Sequence, residues 1–343
     1  MTDTSVLDKS PRSTRSTTLR NARASLVRRL RELALVPALI ALVVLGAATN
    51  DTFLTKANLI SILGSSAALA LVTLAASLIL IGGKFDLSLE STVGIAPALG
   101  AMIVLPASAA GFGTELPTAV GLSVMALAGA VIGAVNGFLV VKLKLNAFIV
   151  TLAMLIVLRG LQVGTTEGKT LFEMPEPFFT LATSTFAEIP LSVWLAAAAF
   201  ALAGFVLRHH RAGRALYAIG GNPAAARAAG IHVDRVLMGV YIVGGILAAL
   251  GGLVLTGYVG AISSNQGDGM IFTVFAAAVI GGISLDGGKG TMTGALTGVL
   301  LLGIVQNLLT LAQVKPFWIQ AIYGGIILVS LMLSRITSGK AQD

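Results

Sequence analysis

The residues that could do chemistry stand in short polar segments between long apolar runs. The segment ILIGGKFDLSLEST, residues 79–92, places Lys84, Asp86 and Glu90 among three hydroxyl side chains. Its glycine pair can end one helix, and Asp86 or Ser88 can cap the next. The same charged and hydroxyl groups would also suit a polar break that contacts a solute inside a membrane. The segment therefore predicts either a capped connection or a functional interruption.

No segment matches a known catalytic motif. GTTEGKT, residues 164–170, resembles a phosphate-binding loop but has three residues between its glycines where that motif needs four. There is no carboxylate pair with catalytic spacing, and neither H-E-x-x-H nor G-x-S-x-G occurs. His209, His210 and His232 share one polar, Arg-rich region, which is typical of a solvated loop. We therefore expect no catalytic residue, no metal and no cofactor.

The elements that must position these polar segments are membrane helices. Of the 343 residues, 56% are hydrophobic and 11% are charged, whereas a soluble domain carries about 25% charged residues. Apolar runs of about 20 residues recur, each long enough to cross a bilayer as a helix. They predict an all-α, polytopic membrane helix bundle of about ten transmembrane helices. The predicted spans are 33–49, 57–81, 91–110, 117–141, 147–164, 191–207, 236–258, 270–283, 291–311 and 317–334, of which the eighth is short.

The distribution of positive charge predicts the orientation. With ten spans and the N-terminus in the cytoplasm, 19 Lys and Arg side chains lie inside and 3 lie outside, as the positive-inside rule requires. This arrangement also accounts for the net charge of +8, so nucleic acid is not an expected partner. We divide the chain into a basic amphipathic segment on the inner leaflet (1–32), a transmembrane domain (33–334) and a cytoplasmic tail (335–343).

The polar region between the sixth and seventh spans predicts a short surface helix. Asn222 can cap it, Pro223 suits its first position, and Gly230 suits its end. The residues between them favour a helix, and they are Ala224, Ala225, Ala226, Arg227, Ala228 and Ala229. This helix either docks into a groove of another protein or lies on the membrane as an ordinary interfacial helix.

Glycine recurs at every fourth position in two spans. The positions are Gly129, Gly133 and Gly137 in one span, and Gly290, Gly294 and Gly298 near another. This spacing lets helix backbones approach closely, so it predicts tight packing rather than a binding site. IGGKFDLS and IGGISLDGGKG also echo each other, as the halves of a transporter often do.

Four blocks of sequence together resemble a known family. They are IGGKFDLS, NGFLVVKLKLNAFIVTLAMLIVLRGL, GRALYAIGGNPAAARAAGI, and AAAVIGGISLDGGKGTMTGALTGVLLLGIVQNLLTL followed by KPFWIQAIYGGIIL. Their order is similar to that in the membrane permease subunit of bacterial ABC sugar importers of the ribose, xylose and arabinose type. That group also includes autoinducer and nucleoside permeases. The blocks cover most of residues 57–334.

This resemblance implies partners and a location. It implies a multi-pass protein of the bacterial inner membrane, surrounded by lipid, with both termini in the cytoplasm. A second permease copy would complete the path, as a homodimer or a heterodimer. An ABC ATPase subunit would dock on the helix at 222–230 and hydrolyse ATP, so this chain itself is not expected to be an enzyme. A periplasmic or lipid-anchored binding protein would deliver a small polar solute, by default a monosaccharide.

Moderately polar side chains are the candidates for the substrate path. They are Phe85, Asp86, Ser88, Asn136, Gln162, Gln306 and Asn307. Hydrogen bonding between helices is an equally good interpretation of Asn136 and Gln306. The chain departs from the family pattern at Glu90, Asn146, Ala147, Ile271 and Thr273, which affects specificity rather than fold.

Two other classes of function remain open on the residues alone. A stand-alone secondary transporter or channel would need an ion or proton site inside the spans, and the acidic residues are expected in loops or at span ends. An intramembrane enzyme would need a nucleophile with a base, or a metal set, and the sequence offers neither.

Overall fold

The computed structural model describes residues 35–315, 318–319, 321–325, 328 and 332. Its helices are α1 Val36–Thr49, α2 Lys56–Ile81, α3 Leu89–Met102, α4 Thr118–Gly137, α5 Ala147–Thr166, α6 Thr180–Thr183, α7 Leu191–His209, α8 Arg211–Gly221, α9 Pro223–Ala228, α10 Val233–Val259, α11 Met270–Ile280 and α12 Met292–Leu311. A π-helical turn, Phe138–Lys142, continues α4, and short 3₁₀ turns occur at Ala107–Ala109 and Glu176–Phe178. The hairpin of β1 Thr185–Phe186 and β2 Ile189–Pro190 is antiparallel, with Thr185 opposite Pro190.

Six of the described helices are long and apolar enough to cross a membrane. They are α2, α4 with its π turn, α5, α7, α10 and α12. The predicted membrane helix bundle is therefore confirmed, but the number of ten spans is not. The third predicted span contains a 14-residue helix, α3, and the eighth contains the 11-residue α11. The amphipathic segment 1–32, the tail 335–343 and much of the tenth span lie outside the described residues.

Local signals in the sequence explain where the helices begin and end. The α2 helix ends at the predicted glycine pair, where Gly83 has φ +70° and the Lys84 N–H donates to the Ile79 carbonyl at 3.2 Å. The α5 helix begins at Asn146, whose side-chain oxygen accepts from the Ile149 N–H at 3.1 Å. Ser88 directly precedes α3 but makes no capping bond. Asp86 instead accepts from the Ser88 N–H at 2.9 Å.

The centre of the bundle is α10, which packs against α2, α3 and α4. The glycines of α4 make this approach possible. A Cβ atom at Gly129 would overlap the carbonyl of Gly245, and one at Gly133 would overlap the carbonyl of Tyr241. Gly294 and Gly298 face α11 in the same way. The packing predicted from the glycine spacing is confirmed in both places.

Two crossings of the bundle are broken, part helix and part irregular chain. The first comprises residues 84–88 and then α3. The Phe85 carbonyl accepts from the Tyr241 hydroxyl at 2.9 Å, and Tyr241 lies eight residues into α10, about 12 Å from its start at 1.5 Å per residue. The α3 helix therefore begins well inside the bundle.

The second broken crossing comprises residues 260–269 and then α11. Gln266 is buried, and its amide donates to the Gly252 carbonyl at 3.3 Å and to the Thr256 hydroxyl at 3.2 Å. An 11-residue helix is about 16 Å long, too short for the roughly 30 Å of hydrocarbon. Irregular backbone at such a depth is tolerated where neighbouring groups satisfy it, as Arg159 and Gln162 do here by donating to the Gln266 and Ser263 carbonyls.

The two glycine-rich loops that echo each other in sequence are in contact. The Gly288 N–H donates to the Ile81 carbonyl at 2.8 Å, and the Tyr217 hydroxyl of α8 donates to the Gly290 carbonyl at 2.8 Å. Both loops thus lie at the end of the bundle that carries α8 and α9, here called the α8–α9 end. Ile262 pairs with Leu171 near the opposite end, here called the hairpin end. Residues 260–280 therefore take the chain from one end to the other, despite the shortness of α11.

Candidate translocation site

A buried polar cluster lies where the first broken crossing enters α3. The Asp86 carboxylate accepts from the Ser88 hydroxyl at 2.6 Å and from the Asn136 amide at 3.3 Å. Asn136 also donates to the Ser88 hydroxyl oxygen at 2.7 Å.

This cluster binds α4 to the segment before α3. All three side chains are buried, with Asp86 3% exposed, and they use most of their hydrogen-bonding groups on one another. Hydrogen bonding between elements, the alternative interpretation of Asn136, therefore describes its contacts in this structure. Phe85 beside them is half-buried, and its ring packs against Phe148 and Phe275 with centroid separations of 6.5 and 6.1 Å.

A second cluster contains an ion pair between two membrane-crossing segments. Arg159 of α5 lies 3.5 Å from the Glu90 carboxylate of α3 and also donates to the side-chain oxygen of Gln162 at 3.0 Å. Glu90 is 4% exposed. Glu90 stands in the first turn of α3, at a helix end as expected, but it is buried because α3 begins inside the bundle. An ion pair at this depth is expensive to bury and is commonly functional.

The ion pair joins the two broken crossings. The second oxygen of Glu90 accepts from the Ile271 N–H in the first turn of α11 at 3.1 Å. Arg159 donates to the Gln266 carbonyl at 2.8 Å, and Gln162 donates to the Ser263 carbonyl at 3.0 Å. Glu90 and Ile271, two of the departures from the family pattern, are therefore in direct contact.

Sequence reasoning named Gln162 in this cluster but missed Glu90, Arg159 and Gln266 as site residues. Two signals were available: an arginine inside the fifth predicted span, and a glutamate where the family pattern has glycine. Nothing in the sequence indicated that the two side chains meet, because they are separated by 69 residues. Their contact depends on how α3 and α5 pack.

The remaining path candidates lie near the hairpin end. Asn307 of α12 exchanges two hydrogen bonds with Asn58 of α2, at 2.8 and 3.0 Å. Gln306 is exposed and accepts from the Tyr323 hydroxyl at 3.3 Å. The seven candidates thus fall at three levels of the bundle, and the structure does not bring them together into one site.

The short helix predicted at 222–230 is present as α9. The Asn222 side chain accepts from the N–H groups of Ala224 and Ala225, both at 3.0 Å, and Gly230 follows with φ +80°. Ala226 is buried in the body of the protein, whereas the other alanines of this segment are exposed. The helix therefore has one face anchored to its own chain and one small, apolar face that is uncovered.

The arrangement can bind and position polar groups, and it offers no catalytic set. Within residues 35–315 and the other described positions, no group of three His, Cys, Asp or Glu side chains could hold a metal ion. The charged and amide side chains of the second cluster instead provide hydrogen-bond donors and acceptors where two broken crossings meet.

Comparisons with known proteins agree with this architecture. Residues 58–331 match the family described as branched-chain amino acid transport system / permease component. The chain is 32% identical over 300 residues to the ribose import permease protein RbsC of Escherichia coli K12, covering 86% of this chain and 91% of that protein. It is 35% identical over 303 residues to the autoinducer 2 import system permease protein LsrC of Klebsiella pneumoniae, with coverages of 88% and 86%.

A third relative is the L-arabinose ABC transporter permease protein AraH of Azospirillum brasilense, 31% identical over 287 residues, with coverages of 84% and 82%. The resemblance to sugar permeases in the sequence blocks is confirmed by these relatives. The long match and the bundle of membrane helices show that the chain belongs to the family of branched-chain amino acid transport system permease components.

Proposed function

We propose that this chain is the transmembrane subunit of an ABC importer that moves a monosaccharide across the bacterial inner membrane. The observation that carries the proposal is the meeting of two broken crossings at polar side chains inside a permease-family bundle. Broken helices of this kind place backbone and side-chain polar groups at the depth where a solute must pass. The names of the relatives, which include ribose and arabinose permeases, support a monosaccharide as the solute.

The partners follow from the two ends of the bundle. The α8–α9 end would face the cytoplasm, where the exposed alanines of α9 would dock an ATPase subunit that hydrolyses ATP. The hairpin end would receive a binding protein that delivers the solute. A second permease subunit would complete the path, and closure of the ATPase dimer would move α9 and then the bundle as rigid pieces.

A stand-alone secondary transporter is the second candidate, and the burial of Glu90 is the observation that favours it. Such transporters use a buried carboxylate to bind and release a proton or an ion. Here Glu90 is held by Arg159 and by a backbone N–H. Both oxygens of this carboxylate are already held by groups of the protein, so we favour the ATP-driven importer.

Isolation of the complex from native membranes tests this assignment. An affinity-tagged chain should retain an ATPase subunit through purification. The ATPase activity of that complex should rise when a sugar-loaded binding protein is added. A chain that purifies without any ATPase and transports sugar alone would refute the importer and support the secondary transporter.

A further inference from the structure

The second cluster leaves one carboxylate uncovered. Asp268 belongs to the irregular part of the second broken crossing, and one of its oxygens lies 3.9 Å from Arg159. Its side chain is 70% exposed, whereas the neighbouring Arg159 is 18% exposed. Glu90 is buried against the same guanidinium, whereas Asp268 has exposed acceptor oxygens beside it.

This carboxylate lies below the hairpin end rather than on it. Arg159 precedes the end of α5 at Thr166 by seven residues, which is about 10 Å at 1.5 Å per residue. Residues 262–266 also run from the hairpin end into the bundle. Ile262 pairs with Leu171 near that end, and the side chain of Gln266 is buried deeper. Asp268 follows Gln266 and reaches the level of the Arg159 guanidinium.

A charge at that depth cannot face lipid without a penalty. An ionised carboxylate exposed to lipid in the hydrocarbon region is costly. The exposed carboxylate of Asp268 must therefore contact water or polar groups inside the assembled transporter. This places it on the side of the chain along which a hydrated solute would move.

We propose that Asp268, together with Asn265, contacts the hydroxyl groups of the transported solute, and this rests on the importer function proposed above. The Asp268 carboxylate supplies acceptors, and the Asn265 amide supplies donors. Arg159 is a positioning residue, because its guanidinium already donates to Gln162, to the Gln266 carbonyl and to Glu90. Asn265 is exposed and accepts from the Ser263 hydroxyl through its carbonyl oxygen, and its amide N–H₂ has no partner among the described residues. Acceptors and donors side by side match a neutral polyhydroxylated molecule, whose hydroxyl groups each donate and accept.

The proposal differs from the path residues expected from sequence. Asp86, Ser88 and Asn136 bind one another, and Gln162 is held by Arg159 and Ser263. The exposed groups of Asp268 and Asn265 are available to a ligand in this structure. Glu90 and Gln162 act indirectly, because they hold the Arg159 guanidinium in place.

Asp268→Asn in the complete complex tests the contact. The complex with its ATPase and binding protein is reconstituted in proteoliposomes. Uptake is measured for D-ribose, L-arabinose and D-galactose, and for 2-deoxy-D-ribose and 2-deoxy-D-galactose. Asp51→Asn is the matched control, since Asp51 is an exposed acid in the loop between α1 and α2.

A hydrogen bond to a charged group is worth about tenfold to a hundredfold in discrimination. We therefore expect Asp268→Asn to change the ratios of the uptake rates of these sugars by about tenfold or more. In Asp51→Asn the same ratios should equal those of wild type. Because the binding protein is the same throughout, its own selectivity cancels between variants. Asn265→Ala should shift the ratios in the same assay.

Three results separate the possible failures. Unchanged ratios in both Asp268→Asn and Asn265→Ala would overturn the proposal while leaving the importer intact. Dissociation of the purified complex by Asp268→Asn, seen as a smaller species in size-exclusion chromatography, would overturn it in favour of a subunit contact. No ATP-driven uptake of any sugar by the wild-type complex would refute the proposed function itself.

Discussion

At the scale of residues, the sequence drew attention to Glu90 and to Arg159 separately, but it did not show that they form an ion pair. Each residue was conspicuous by type, one as a departure from the family pattern and one as a charge inside a span. Their contact, and the bond from Ile271 to Glu90, arises from three elements far apart in the chain. In contrast, the capping role of Asn146 is local and follows from its position before α5.

Removing one member of this pair should destabilise the protein strongly. Glu90→Gln leaves the Arg159 guanidinium without its buried counter-charge, and such losses cost about 3–5 kcal/mol. We expect a clear drop in the thermal unfolding midpoint of the detergent-solubilised protein. Glu167→Gln is the control, because Glu167 pairs with Lys169 on an exposed loop and such pairs contribute about 0–1 kcal/mol. Equal midpoints for the two variants would show that the buried pair is not a stabilising contact.

Asp86 is expected to act on folding rather than on transport. Asp86→Ala leaves the Ser88 N–H without its acceptor and removes one of the two acceptors of the Asn136 amide, at a cost of about 1–3 kcal/mol. The yield of folded protein should fall, while uptake per folded molecule stays near that of wild type. Asp286→Ala, at an exposed acid in the loop after α11, should leave the yield unchanged. A loss of uptake per folded molecule in Asp86→Ala would instead place this residue on the path.

At the scale of elements, the sequence predicted which segments are helical better than it predicted how long each helix is. The glycine pair after Ile81 ends α2 as expected, and Asn222 and Gly230 bound α9 as expected. The broken crossings were not predicted, because hydropathy reports how apolar a segment is and not whether its backbone is helical. Residues 84–88 and 260–269 could be recognised only from their contacts with α10.

The exposed face of α9 should be required for coupling to the ATPase. Ala225→Glu adds a charge to this face without touching the body of the protein, so folding should persist while ATP-driven uptake is lost. Ala226→Glu should prevent folding, since Ala226 is buried. Ala212→Glu, on the exposed face of α8, is the control and should retain uptake. Full uptake by Ala225→Glu would contradict the docking role of α9.

The close approach of α4 and α10 should tolerate no side chain. Gly133→Ala forces a methyl group against the Tyr241 carbonyl, and overpacking of this kind costs about 1–3 kcal/mol. Gly160→Ala is the matched change in α5, where a Cβ meets nothing within 4 Å and alanine favours a helix over glycine. Thermal unfolding should separate the two variants. If Gly133→Ala unfolded at the same temperature as Gly160→Ala, the packing account would be wrong.

At the scale of the whole molecule, composition and the four sequence blocks were enough to predict a membrane helix bundle of the permease type. The substrate-facing side could not be predicted in the same way. It depends on which polar groups remain unpaired after folding, and the most obvious candidates, Asp86 and Asn136, pair with each other. Asp268 was not conspicuous in the sequence, because an acid in a glycine-rich loop resembles any surface residue until its depth is known.

We propose that this chain carries a monosaccharide across the membrane only when a partner hydrolyses ATP. The most direct test is uptake of radiolabelled sugar into proteoliposomes that contain the complete complex, with ATP or a non-hydrolysable analogue on the ATPase side. We predict accumulation with ATP, none with the analogue, and none by the chain alone. Equal uptake by the chain alone, without ATPase or binding protein, would show that transport does not depend on ATP hydrolysis by a partner.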